Sequence, residues 1–306
     1  MDSIIFVLAG TLAAATPLIL AAMGELVTER SGVLNLSIEG MMATGAAVAF
    51  VVATLTGSYA LGFAAAAGAS MLLATVFGSL ALVFLASHVA SGLAVGILGL
   101  GVSALVGKPY EGTTIDPISK IEIPLLGEIP LLGEVLFKQD VFVYVSIALI
   151  FVVAWVLRST RLGLIIRAVG EAPSAAHALG YPVITVRFLA VLFGGAMSGI
   201  AGAYIVLSYT PLWAEGLIAG RGWIVVALVV FGTWRAGRVA LGGYLFGAVS
   251  LMELSIQGFG FNIPSQVLSA SPYIITIVVL AIISRDLRAI RLNSPASLGE
   301  TYRAGE

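Results

Sequence analysis

FLAVLFGGAMSGIAGAYIVLS, residues 188–208, contains no charged side chain and only three hydroxyls. About 20 apolar residues in a helix cross the ~30 Å hydrocarbon layer of a bilayer, so this run is long enough to span a membrane. It is one of many. Further apolar runs cover residues 3–22, 38–56, 60–86, 91–107, 141–157, 222–233, 240–257 and 270–284. Of the 306 residues, 59% are hydrophobic and 10% charged, against about 25% charged in a soluble domain. The mean hydropathy is +1.08. These features predict an all-α polytopic integral membrane protein forming a single transmembrane domain over 1–306. About nine helices are expected, within a range of eight to ten. The runs 91–107 and 222–233 are short for a straight crossing and are expected as half-helices or bent helices shielded by protein.

Arginines set the expected orientation. Arg158, Arg161, Arg167 and Arg187 lie in 158–187, Arg235 and Arg238 in 234–239, and Arg285, Arg288 and Arg291 after the last run. With nine spans all three segments share one side, which the positive-inside rule makes cytoplasmic. The N-terminus is then outside and the tail 285–306 cytoplasmic. Asp2 stands where a signal peptide carries its basic region, so 3–22 reads as a retained span. The loop 108–140 falls outside the cell. It holds Lys108, Lys120 and Lys138 and the repeat EIPLLGEIPLLGE, 122–134, whose prolines forbid a regular helix. That repeat reads either as a flap over the protein's own spans or as a surface for a partner.

The usual chemical signatures are missing. Without cysteine there is no disulfide, thiolate metal site or thiol nucleophile. His88 and His177 form no metal-binding pair, and no P-loop or G-x-S-x-G elbow occurs. GLGVSA, 99–104, fits a dinucleotide fingerprint but sits inside an apolar run, where helix packing explains it. Neither a catalytic residue nor a cofactor site is expected, and nothing suggests nucleic-acid binding. Gly92/Gly96, Gly195/Gly199 and Gly243/Gly247 have the GxxxG spacing that lets helix backbones approach closely.

RAVGEAPSAAHALGYP, 167–182, interrupts this greasy chain with charge, proline and glycine. Pro173 suits the first position of a helix, and Gly180 with Pro182 suits its end. The two turns between them would put Ala172, Ala175, Ala176 and Leu179 on one face. So short a helix does not hold itself together in water. It must dock, either on the chain's own spans or on a partner.

Residues 168–204 and ERSGVLNLSIEGMM, 29–42, resemble the permease subunits of ABC importers of the branched-chain amino acid, ribose and nucleoside type. The shared features are Gly170, Ala175-Ala176, Gly180, Arg187, Ser198-Gly199 and Ala201-Gly202. The outer IPLLG loop is a third match, and the 29–42 string resembles the nucleoside or simple-sugar branch. The resemblance implies a second permease subunit, often a different polypeptide, two separate ABC ATPase subunits and an extracytoplasmic substrate-binding protein. It implies that the chain is a passive pathway for a nucleoside or simple sugar and not an enzyme. It also makes Glu171, Ala172, Pro173, Ser174, Ala175, Ala176, His177, Ala178, Leu179 and Gly180 the coupling helix that docks on the ATPase. From Glu171 to Gly180 is nine residues, where the EAA-to-Gly loop of other importers has six, so the contacts of that class are not carried over.

Ionisable residues inside spans commonly face cavities. Ser31, Asn35 and Glu39 stand at i, i+4 and i+8, and if 31–42 is helical they form one polar stripe lining a pathway. Otherwise Glu39 reaches headgroups or pairs with Arg30. Glu253 and Gln257 mark a second polar face, either a lining or a helix contact. Should these carboxylates couple to protons or Na⁺, the chain would instead be an ion-driven secondary transporter. Trp213, Trp223 and Trp234 read as interfacial anchors, Trp213 with Tyr209 alternatively as a stacking platform at the outer mouth. His88 reads as a satisfied polar residue at a turn.

Overall fold

The computed structural model describes residues 2–122, 132–258, 274, 277–278 and 293–303. Along the chain run α1 (Asp2–Arg30), α2 (Ile38–Thr56), α3 (Tyr59–Gly78), α4 (His88–Gly107), β1 (Ile121–Glu122), α5 (Leu132–Leu136) and β2 (Lys138–Gln139). They are followed by α6 (Val141–Ser159), α7 (Arg161–Glu171), α8 (Pro173–Ala178), α9 (Val183–Tyr204), α10 (Arg221–Phe231) and α11 (Ala236–Gly258). Strands β1 and β2 pair antiparallel.

Among the described residues six helical segments are long and apolar enough to cross a bilayer: Val7–Arg30, Ile38–Thr56, Tyr59–Val83, His88–Tyr110, Val141–Ser159 and Val183–Tyr209. α10 and Ala236–Met252 of α11 are shorter apolar helices. The run expected at 270–284 falls almost wholly outside the described residues, as does most of the EIPLLG repeat. The segment 91–107, expected to be short, is part of a continuous 23-residue span. Of the two runs expected to be short, 222–233 alone is so, forming the 11-residue helix Arg221–Phe231.

Local chemistry sets the helix ends. The hydroxyls of Ser58, Ser87 and Thr160 accept from the amides of Leu61, Ala90 and Gly163 at the starts of α3, α4 and α7. Asp140 Oδ1 accepts from Phe142 N and Val143 N at 2.8 and 3.2 Å and opens α6. Gly57, left-handed at φ 67°, closes α2.

α2 and α9 form the centre, enclosed by α1, α3, α4 and α10. The small-residue pairs pack as expected. A Cβ on Gly199 would strike α3 at Ala66 and Ser70, one on Gly195 would strike Ala74, and Gly243 and Gly247 face Ile19 and Ala15 of α1. Gly99, within the spurious dinucleotide motif, lies against the Gly40 backbone. Thr44 Oγ1 donates to Gly99 O at 2.9 Å, and Ser70 Oγ donates to Met41 O at 2.8 Å. Gly99 and Ser70 lie near the middle of α4 and α3, so α2 begins halfway through the bundle and not at its edge.

Candidate functional site

Because α2 starts deep, the connection from Arg30 must climb into the bundle. Residues 31–37 do this as turns and extended chain, so the Ser31–Asn35–Glu39 stripe, which required a helix, is not formed. Ser31 Oγ donates back to Thr28 O at 2.7 Å. Asn35 Oδ1 accepts from Ser37 N at 3.0 Å, while Asn35 N donates to Glu25 Oε1 at 3.3 Å. Both residues are fully buried. Backbone groups without helical partners are satisfied instead by carboxylate and amide side chains, as burial requires.

Glu39 lies elsewhere. Its Oε1 accepts from Gly220 N at 2.6 Å and its Oε2 from Gly222 N at 2.7 Å. It does not pair with Arg30. Gly220 (φ 85°) and Arg221 open α10, so Glu39 supplies the negative cap at the positive end of a half-length helix. Gly222 is pressed against the Glu39 backbone, leaving no room for a side chain. Glu39 also lines a cavity of about 250 Å³ with Ser103, Trp213 and residues 214–219. Among the described pathway candidates, Glu39 lines this cavity, and Ser31 and Asn35 do not. The side chains of Glu253 and Gln257 lie outside the described residues.

The other end of α10 is tied to the foot of α1. Thr233 and Trp234 both adopt positive φ, 49° and 52°, a conformation costing about 1–3 kcal/mol per non-glycine residue. The turn is held by Trp234 Nε1 donating to Glu29 Oε2 at 2.6 Å, and by Arg30 Nε and Nη2 donating to Trp234 O at 3.1 and 2.7 Å. Trp234 and Trp213 are buried, 5% and 3% exposed, so neither is an interfacial anchor. Trp213 packs on Gly107. Trp223 is 44% exposed, as an anchor should be. His88 is only half satisfied: Nδ1 accepts from Leu34 N at 3.4 Å, while Nε2 is buried without a partner.

The punctuated segment folds as its residues suggest. α8 begins at Pro173, and after Leu179 the chain turns through Gly180 at φ 87°. Gly180 N donates to His177 O at 2.8 Å and Tyr181 N to Ala176 O at 3.1 Å. The expected alanine face is split. Ala176 is buried against Val169, Val183 and Tyr302, whereas Ala172 and Ala175 are exposed and Leu179 is 77% exposed. The chain's own docking surface thus takes Ala176 alone.

What carries α8 was not visible in the sequence. α7, amphipathic, buries Gly163, Ile166, Val169 and Gly170. Arg187, the largest fully buried side chain, donates from Nε to Ser31 O at 3.1 Å, from Nη1 to Glu300 O at 3.2 Å and from Nη2 to Ser297 Oγ at 2.8 Å. Ser297 Oγ donates to Gly170 O at 2.6 Å, and Gly299 N donates to Gly32 O at 3.0 Å. Tyr302 lies against His177, ring centroids 6.2 Å apart. Residues 297–302 therefore lace the 31–32 turn, the end of α7, α8 and the start of α9 into one platform.

A helical bundle of this kind, with several spans and a short helix standing off one end, defines a polytopic membrane protein. The family described as the permease component of the branched-chain amino acid transport system matches residues 7–284, and the chain belongs to it. A putative glucose ABC transporter permease of Haloferax volcanii is 38% identical over 95% of each chain. The guanosine ABC transporter permease of Bacillus subtilis is 34% identical over 88% of this chain and 89% of its own. The nucleoside ABC transporter permease of Lactococcus lactis is 33% identical over 92% and 93%. The chain is accordingly a permease component of an ABC importer, working in a membrane complex with other ABC components.

Proposed function

We propose that the chain forms half of the translocation pathway of an ATP-driven importer. It pairs with a second permease, a different polypeptide, above two separate ATPase subunits that burn the nucleotide. An extracytoplasmic binding protein delivers a nucleoside or simple sugar to the outer side. The N-terminus and the loop 108–140 face outward; the loop 158–187 and the tail 285–306 face the cytoplasm. Residues 171–180 are the coupling helix, and Glu39 borders the pathway at mid-depth.

The single observation carrying this reading is the exposure of α8. Ala172, Ala175 and Leu179 are solvent-facing apolar groups on a rigidly seated two-turn helix, a surface built to be covered. The substrate class follows the relatives named for glucose, guanosine and nucleosides. Of the two carboxylates on which an ion-coupled mechanism would draw, Glu39 already accepts backbone hydrogen bonds at both oxygens, and the side chain of Glu253 lies outside the described residues.

The test is Leu179→Arg, which adds charge to the exposed face without touching the buried one. The expected outcome is loss of ATPase co-purification and of ATP-dependent uptake, with membrane insertion and melting unchanged. Full co-purification and uptake would refute the assignment of α8.

A further inference from the structure

At the basic end of the bundle a cavity of about 480 Å³ opens between the ends of α1 and α6, α7, and the α10–α11 turn. Four of its lining residues are arginines, Arg30, Arg158, Arg167 and Arg235, and among the described residues no lining residue is acidic. Arg167 and Arg235 are near enough to Arg30 to repel it, and Glu171 is the acid that bears on it among the described residues. Among the described residues, their hydrogen bonds go to neutral groups. Arg30 donates to Trp234 O and Asn293 O, Arg235 to Asn293 Oδ1, and Arg167 to Gly163 O. Four like charges around one cleft are costly unless an anion enters it.

The surroundings name the anion's carrier. On α6, Trp155 and Phe151 stand three and seven residues before Arg158, on the same helix face, and are 62% and 70% exposed. On α11, Leu241 and Leu245 follow the cavity residue Gly237 at steps of four and are 70% and 44% exposed. Two apolar ladders thus rise from the arginines along the outside of two hydrophobic helices. A free phosphate would use the arginines but not the ladders. We propose that this cleft is a binding site for an anionic phospholipid, its phosphodiester held by Arg158, Arg167 and Arg235 and its acyl chains lying along Phe151–Trp155 and Leu241–Leu245. The site is separate from α8 and from the Glu39 cavity, and it stands whether or not the coupling assignment does.

The test uses the full chain in phosphatidylcholine vesicles with a graded fraction of phosphatidylglycerol brominated on its acyl chains. Trp155 and Trp234 border the cleft, so their fluorescence reports occupancy. Wild type should be quenched well before brominated phosphatidylcholine at the same fraction achieves it. Each arginine near an anionic headgroup contributes roughly fivefold in affinity, so Arg158→Gln with Arg167→Gln should lower the preference by about 25-fold. The paired lysine variant should keep most of it. Glycerol phosphate in solution should not compete, and competition at millimolar concentration would reassign the cleft to a soluble phosphate. Equal quenching by the two lipids, or an unchanged preference in the glutamine variant, overturns the proposal. So does loss of ATPase binding in that variant with lipid preference intact, which would give the arginines to a protein carboxylate.

Discussion

Replacing Glu39 with Gln tests whether this carboxylate holds α10 in place. The two oxygens accept from Gly220 N and Gly222 N at 2.6 and 2.7 Å. The amide of Gln offers one acceptor and turns a donor toward the other N–H. One charge-assisted bond, about 1.5–3 kcal/mol, is lost and one buried N–H is orphaned at about 1–3 kcal/mol. Losing the negative charge at the helix start adds about 0.3–1 kcal/mol. These terms overlap, and about 3 kcal/mol is a reasonable net, or about 150-fold in the docking equilibrium of the α10 N-terminus. Glu39→Asp should cost nearly as much, because a shortened side chain cannot reach both amides from α2. Hydrogen exchange of a peptide spanning 217–231 measures the effect directly, and melting of the purified chain should fall by about 5–10 °C. If exchange in that peptide is unchanged in Glu39→Gln, the cap is not what seats the helix, and the reasoning fails.

The other predictions address the ties around it. Arg187→Met removes three donors to the platform and should raise exchange at 297–302 and 171–180 together; uptake per ATP hydrolysed should fall, and Arg187→Lys should restore only part of it, since an ammonium lacks the planar fork. Unlinked exchange in the two segments would show that the tail does not brace α8. Trp234→Phe leaves Glu29 buried without its donor and should cost about 2–3 kcal/mol, read as a drop in melting temperature of the purified chain. Gly40→Val places side-chain atoms into the Gly96 backbone, where no rotamer relieves the overlap. It should reduce the folded fraction recovered from membranes severalfold, and wild-type recovery would mean that α2 and α4 do not touch there.

The helices themselves were legible because an apolar run has few alternatives in a bilayer. α8 was legible too, since Pro173 and Gly180 act within a turn or two of their own position. What resisted reading were contacts between residues far apart in sequence. Glu39 meets Gly220 across 181 positions, and nothing in the local pattern of 31–42 distinguishes a helical stripe from a climbing chain whose polar groups are satisfied from elsewhere. Trp213 and Trp234 have the composition of surface anchors, and only the distant Gly107 and Glu29 draw them inside. α7 was hidden because its arginines resemble a loop, although Ile166, Val169 and Gly170 recur at helical spacing. The first apolar run stops at residue 22 while α1 continues to Arg30, so Glu25 and Glu29, one turn apart in α1, lie beyond the apolar signal.

The clasp formed by residues 297–302 also sets an order of events at birth. Arg187 and Gly170 emerge from the ribosome more than a hundred residues before the serine that joins them. Until translation has passed Tyr302, α8 sits on an unfinished seat. With α8 as the proposed coupling helix, a nascent or prematurely stopped permease would then lie in the bilayer uncoupled, unable to provoke futile turnover by a waiting ATPase.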